Sequence, residues 1–478
     1  MANVTSAVSI CCLTLSLLLK EKVSFPGSQT YTASLGSYFS LQQTEVRPLC
    51  IVSPQTDQDV SMAVRALTSP APRCQFAVRS GGHSSFVGAS NIQRGVTIDL
   101  RGLNNIELSE NQSIVSLGVG ASWGNVYSQL DHFNLSVTGG RAFGVGIGGL
   151  SIGGGISYFG PRYGWTCDMV TNYILVLANG SIVNANQEEN SDLLWALRGG
   201  TNNFGIVTRV DLQTFKQGDI WGGVVYHALS TINEQIVALS EFNTPATYDE
   251  YSSLISSFGY SGADGVSIIV NNMENTQGVA DPLVFQQLSS IPSLESTMRI
   301  TNMTDLSTET EKLQVNGLRE ASATLTIEST PEALNKTLSS WNASVLSVQD
   351  IPGIVWTVVL EPLPPAIYAR HAETNALGLT GRQSKPLMVV MLSMTWYDAE
   401  DDDRIEMEAK ALIGTIEQEV GRLGRLDPYV YLNYAAPWQK PISGYGEASV
   451  ERLLSVRREY DPRQIFTDYI PGGFKIPE

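Results

Sequence analysis

Arg79-Ser80-Gly81-Gly82-His83-Ser84-Ser85 is the stretch from which the rest of the chain can be read. It follows the apolar run Phe76-Ala77-Val78, which reads as the end of a buried strand. Two glycines after a strand permit a tight turn and a close backbone approach to a ligand, because neither carries a Cβ. His83 stands at the tip of that turn. A lone loop histidine is ordinarily a hydrogen-bonded structural residue. A second stretch gives this one a different meaning: Gly139-Gly140-Arg141-Ala142-Phe143-Gly144-Val145-Gly146-Ile147-Gly148-Gly149, continuing into Leu150-Ser151-Ile152-Gly153-Gly154-Gly155. It is too apolar for a flexible linker and too glycine-rich for a helix or strand core. Both stretches suggest backbone packed against a large flat ligand whose phosphates are held by main-chain N–H groups.

Together they resemble the flavin-binding signature of the berberine bridge enzyme-like oxidoreductases, within the p-cresol methylhydroxylase (PCMH)-type FAD-binding superfamily. The likeness continues through Tyr163-Gly164-Trp165-Thr166-Cys167-Asp168, Asp192-Leu193-Leu194-Trp195-Ala196-Leu197-Arg198-Gly199-Gly200 and Asn203-Phe204-Gly205-Ile206-Val207-Thr208. It returns at Tyr431-Leu432-Asn433-Tyr434 and is faint in between. The resemblance implies bound FAD, carried covalently on the imidazole of His83. It places Arg79, Ser80, Gly81, Gly82, Ser84, Gly140, Val145, Gly146, Gly148, Gly149, Gly153, Gly205, Val207 and Asn433 around the cofactor. Some members carry a second tether from a cysteine in the glycine-rich stretch. Here that position is Ala142, so a single tether is expected, and Cys167 reads as a small buried residue. Val145 resembles the oxygen-permissive form of its position, which favours O2 as electron acceptor.

Composition narrows the function classes. The chain has 478 residues, enough for two or three domains, and a formal net charge of −17 with a sequence pI near 4.7. Nucleic-acid binding needs a basic face and is not expected. No P-loop is present. The four histidines, His83, His132, His227 and His371, are too scattered for a metal site. The apolar run Ala7 to Leu19 is too short for a comfortable bilayer span and suits a signal peptide over residues 1–25, so a secreted protein without stable membrane association is expected. Cys11 and Cys12 would leave with it, and Cys50 would pair with Cys74. Sequons at Asn111, Asn134, Asn179, Asn302, Asn335 and Asn342 fit a glycoprotein.

Periodicity and turn signals give an α+β chain. A strand and a helix capped by Thr56 or Asp57 span Leu49 to Leu67, and the strand Gln75–Arg79 delivers His83. The expected organisation is a two-subdomain FAD-binding region over residues 26–215, then a substrate region over 216–425 with an antiparallel sheet covered by helices. A C-terminal segment, 426–478, returns to the first region. Strands are read at Trp221–Tyr226, Val266–Val270, Ile354–Leu360 and Leu387–Met394.

For chemistry, Asp427–Asn433 reads as a strand, so Tyr429, Tyr431 and Asn433 share one face. The resemblance assigns Tyr431 the proton of a substrate hydroxyl. A tyrosine with a pKa of roughly 10 is a poor base at neutral pH, so it needs a nearby positive charge, a proton relay or transfer concerted with hydride departure, and Glu361 at a strand end is the relay candidate. The expected reaction is hydride transfer from a small-molecule substrate (an alcohol, phenol or polyketide-like metabolite) to FAD, with O2 returning it to the oxidised state. A carbohydrate oxidase, a flavoprotein that folds a polyene for cyclisation, and a binding protein with a vestigial flavin site are the alternatives.

Overall fold

The strand that carries the His83 turn, Phe76–Arg79, is one edge of a four-stranded sheet. The computed structural model describes residues 2–69, 73–244, 248–314, 317–382 and 384–478. In the sheet the strands run in the order Val23–Ser24, Cys50–Val52, Val96–Asp99, Phe76–Arg79, and the last three are parallel. Parallel neighbours require a crossover, and the helix Asp57–Leu67 supplies one. Thr56 starts it with a full capping box, its side chain accepting from Asp59 N while the Asp59 carboxylate accepts from Thr56 N. Val60, Ala63, Val64 and Leu67 bury the apolar side.

A second, wholly antiparallel sheet follows, in the order Ile106–Leu108, Ile114–Gly118, Ile206–Gln213, Val170–Val176, Ile182–Asn186. Its last hairpin turns through Gly180, whose φ of +79° suits a residue without a Cβ. The glycine-rich stretch, expected to avoid regular structure, does form one short helix, Ile147–Ile152.

Residues 220–427 build a nine-stranded antiparallel sheet. The helices Ile232–Phe242, Pro331–Val348 and Asp402–Arg422 cover one face, where Met273, Leu360, Leu392 and Trp341 share a core. Strand alternation sends Ile255, Val359, Leu363 and Val389 to the other face, into the core of the first two sheets. Two of its strands, Ser252–Ser261 and Arg319–Glu328, and the helix Met303–Lys312 are absent from the sequence reading.

Two expectations are corrected. The strand expected over Asp427–Asn433 stops at Asp427, and Leu432–Tyr434 is a 3-10 turn, so Tyr429, Tyr431 and Asn433 do not form a strand face. Cys50 and Cys74 do not pair with each other. Cys11 is bridged to Cys74 and Cys12 to Cys50, because the helix Ala2–Leu19 lies against the first sheet with Leu15 and Leu19 buried. The two cysteines read as part of a departing leader are thus cross-links of the fold. Among the described residues no helix is long and apolar enough to cross a membrane.

Candidate active site

Backbone contact joins the two glycine stretches. A Cβ on Gly81 would lie 2.6 Å from Gly146 Cα, so only glycine at both positions lets the chains cross. Ser80 Oγ, beside that crossing, donates to Val119 O and accepts from Gly148 N at 3.1 Å, tying the turn to the 147–152 helix. Gly149 is exposed, and a Cβ there would meet nothing within 4 Å. At the far end of the helix, a Cβ on Gly153 would lie 2.1 Å from Asn433 Oδ1. Asn433 Nδ2 donates to Tyr431 Oη at 3.1 Å and to Leu150 O at 3.3 Å. One short helix therefore spans from the His83 turn to the tyrosines near the C-terminus.

His83 stacks on Phe39, ring centroids 4.0 Å apart, and its Nε2 is buried with no hydrogen-bond partner. Burial holds the imidazole below its usual pKa, against the pull of nearby Glu311. A neutral imidazole with a free ring nitrogen is what attachment to a flavin requires. That nitrogen, with the open face at Gly149, fits an FAD whose ring system lies near His83.

Arg79 is placed otherwise than expected. It is fully buried, donates to Ser34 O and Ser37 O at 2.6 Å each, and lies 3.7 Å from the Tyr38 ring centroid. These contacts turn its guanidinium toward the 34–38 segment, so Arg79 shapes the turn and is not available as a cofactor contact. Gly205 and Val207 sit in tight packing, with a Cβ on Gly205 reaching 2.8 Å from Leu175 Cδ1 and Val207 only 7 % exposed. Gly140 is pressed on Trp123 in the same way. Gly82 has φ +77°, and Ser84 Oγ accepts from Phe86 N, which closes the turn behind His83. Val145 is half-buried beside the crossing, its carbonyl accepting from Trp123 N.

Tyr431 and Glu361 are near one another but not bonded. Tyr431 Oη accepts from Ile156 N and from Asn433 Nδ2, both at 3.1 Å. With two donors on its oxygen it is fitted to donate, not to take a proton, and burial pushes its pKa up to about 12. Glu361 binds Tyr434 instead. Tyr434 Oη donates to Glu361 Oε1 at 2.9 Å and accepts from Arg141 Nη2 at 2.5 Å. Arg141 Nη2 also reaches both Glu361 oxygens at 2.9 Å. Burial raises the Tyr434 pKa well above normal while the adjacent Arg141 charge works to lower it. Tyr431 and Tyr434 meet edge to face at 4.8 Å. The partner of Glu361 is thus Tyr434, and no direct hydrogen bond joins Tyr431 to Glu361. Tyr434 and Arg141 both lie within the motifs that carry the family resemblance, but the two-residue alternation from Tyr431 to Asn433 does not single out Tyr434.

Similarity to known proteins agrees with this geometry. The FAD binding domain family matches residues 48–186. A Cercospora beticola protein named FAD-dependent monooxygenase CTB5 is 34 % identical over 100 % of this chain and 93 % of its own length. A Diaporthe leptostromiformis protein named oligopeptidase PhomG' is 41 % identical over 96 % of this chain, which spans only 37 % of that protein. Among solved structures, Physcomitrella patens BBE-like 1 superposes with a TM-score of 0.80 at 16 % identity, covering 98 % of this chain and 99 % of that one. The chain belongs to the FAD-dependent oxidoreductase family of these fungal relatives, and it shares its fold with the berberine bridge enzyme-like structures.

Proposed function

We propose that the chain is an FAD-dependent oxidase of small hydroxylated organic substrates, with Tyr434 and Glu361 as its proton-accepting pair. The observation that carries this reading is the hydrogen-bond count at Tyr434. It gives its proton to Glu361 and accepts one bond from Arg141, which leaves one lone pair for a substrate O–H. As Tyr434 takes the substrate proton, its own passes to Glu361, so no free phenolate forms. Arg141 fixes both partners and balances the carboxylate charge. Tyr431 and Asn433 hold the 3-10 turn against the 147–152 helix. His83 would hold FAD by a single tether, and the cofactor would supply a two-electron acceptor for the substrate's hydride, with O2 as the final oxidant and H2O2 as its product.

Both disulfides call for an oxidising compartment, and the sequon asparagines Asn111, Asn134, Asn179, Asn302, Asn335 and Asn342 are exposed, which supports passage through the secretory pathway. The relatives' names favour a second reading, insertion of one oxygen atom into the substrate while an external reductant takes the other to water. Turnover of a panel of alcohols and phenols under ¹⁸O2, with oxygen and peroxide recorded together, separates the two. One H2O2 per O2 and an unlabelled product support the oxidase; labelled product without peroxide overturns it.

A further inference from the structure

The face of the nine-stranded sheet that carries Glu361 also carries the buried carboxyl groups of Glu274 and Glu320, and Glu274 is the one beside Arg141. Glu274 lies on the strand Val266–Asn275 and is 1 % exposed. Its neighbour Met273 points into the helix-covered core, so strand alternation turns Glu274 to the face that carries Glu361. Its Oε2 is buried and has no hydrogen-bond partner, and it makes no ion pair among the described residues. The nearest cation, Arg141, is committed to Glu361 and Tyr434 through Nη2. Tyr158 is bonded to Thr310 Oγ1 at 3.0 Å, and its hydroxyl also reaches the Glu274 carboxyl. Gly222 presses on the Glu274 side chain from the neighbouring strand, with no Cβ to displace it. Burial outweighs Arg141 and Tyr158, and Glu309 adds to it, so the carboxyl is pushed well above its usual pKa, which favours its proton-bearing form.

A neutral buried acid with an idle oxygen is costly unless something receives its hydrogen bond. We propose that Glu274 is a substrate-anchoring residue, donating a hydrogen bond to a carbonyl or ether oxygen at the end of the substrate remote from the reacting hydroxyl. This rests on the reading of Tyr434 and Glu361 as the reacting end. The strand Ser252–Ser261 lies between the strands of Glu274 and Glu361, so two strand spacings, on the order of 10 Å, separate the two ends. Tyr434, with Tyr431 edge to face on it, stands at the Glu361 end, and Tyr158 stands at the Glu274 end. The substrate class is therefore a flat molecule of two or more fused rings, with a hydroxyl at one end and an acceptor oxygen at the other.

The probes are 2-acetylnaphthalene and its isostere 2-isopropenylnaphthalene, which lacks the acceptor oxygen and, like the ketone, does not ionise. Their binding to the holoenzyme is read from perturbation of the flavin absorbance. The wild type should prefer the ketone about tenfold, Glu274→Gln should keep most of that preference through its amide N–H, and Glu274→Leu should abolish it. The isosteric Glu274→Gln variant gives an independent reading should the leucine variant not fold: raising pH should erode the preference of the wild type, as Glu274 loses its proton among Arg141, Tyr158, Glu309, Glu361 and Tyr434, and leave that of Glu274→Gln unchanged. Equal binding of the two probes to the wild type, including no binding of either, overturns the proposal, as does a preference that survives in Glu274→Leu. A holoenzyme that separates the probes but whose flavin no alcohol reduces would refute the redox reading and leave the anchor standing.

Discussion

Tyr434 Oη lies 2.9 Å from Glu361 Oε1, and the two residues come from segments 73 positions apart in the chain. Glu361 is on a central strand of the large sheet, whereas Tyr434 is on a 3-10 turn anchored to the first core through Tyr431. The pair exists only where the two halves of the fold meet.

Removing the Tyr434 hydroxyl should therefore stop proton acceptance without disturbing the fold. Tyr434→Phe is expected to slow anaerobic reduction of the flavin by substrate roughly 100-fold to 10,000-fold in stopped-flow absorbance. Tyr431→Phe removes an acceptor for two protein donors and should cost far less in rate. Equal losses in the two variants would return the base to Tyr431.

The crossing at Gly81 and Gly146 has no room for a methyl group. Gly81→Ala sets a Cβ 2.6 Å from Gly146 Cα, which is backbone and cannot rotate away. The purified variant should contain well under half the flavin of the wild type, as judged by the ratio of visible to protein absorbance. Gly149→Ala meets no protein atom within 4 Å and serves as the comparison, because any flavin it loses reports cofactor contact directly.

The helix Ala2–Leu19 is fastened at two points, closing loops with sequence separations of 63 and 38 residues. Cys74 lies just before the strand that carries the His83 turn. Loss of one bridge by Cys74→Ser should lower stability by about 2–5 kcal/mol, read from denaturant unfolding of the protein expressed in an oxidising compartment. A truncation after residue 19 should lose more than either single variant.

Glu320 provides a pH test of the fold. It is 5 % exposed with an unpartnered Oε1, and burial alone raises its pKa to about 8. An acid whose folded pKa lies above its unfolded value binds its proton more tightly when folded. Its stabilisation is complete below about pH 4.5 and declines as pH rises toward 8, by on the order of 1 kcal/mol per pH unit. Glu320→Gln should flatten that decline in thermal melts between pH 5 and 8, as compared with the wild type, within roughly one pH unit at either limit. A parallel decline in both proteins would place the titration elsewhere.

Much of the architecture was legible because local chemistry and tertiary packing agree. Thr56 with Asp59 marks its helix start, Asn179-Gly180 marks a hairpin, and the apolar strands Val355–Leu363 and Leu387–Trp396 announce themselves. The missed strands, Ser252–Ser261 and Arg319–Glu328, are rich in Ser, Thr and Ala because one face meets the helices and the other the site region. Their polar alternation resembles a loop when read without the sheet. The Tyr429–Asn433 segment alternates like a strand, yet Tyr431 Oη is drawn to Ile156 N, a contact 275 residues distant that no local pattern reveals. Cys11 and Cys12 sit in an apolar run that fits a leader equally well, and only the position of that helix on the first sheet shows their partners. Glu274 carried no signal in the sequence, since its meaning depends on an idle oxygen and on Arg141 being engaged elsewhere.

If this glycine-lined crossing holds FAD through His83, the chromophore stays with the polypeptide on denaturation. The purified protein is precipitated with acid and washed, and flavin spectra of pellet and supernatant are compared for wild type and His83→Ala. Flavin retained in the wild-type pellet and released from the variant is the predicted result. Flavin released completely from the wild type would contradict the tether, and a wild-type protein purified without flavin would contradict the cofactor assignment itself.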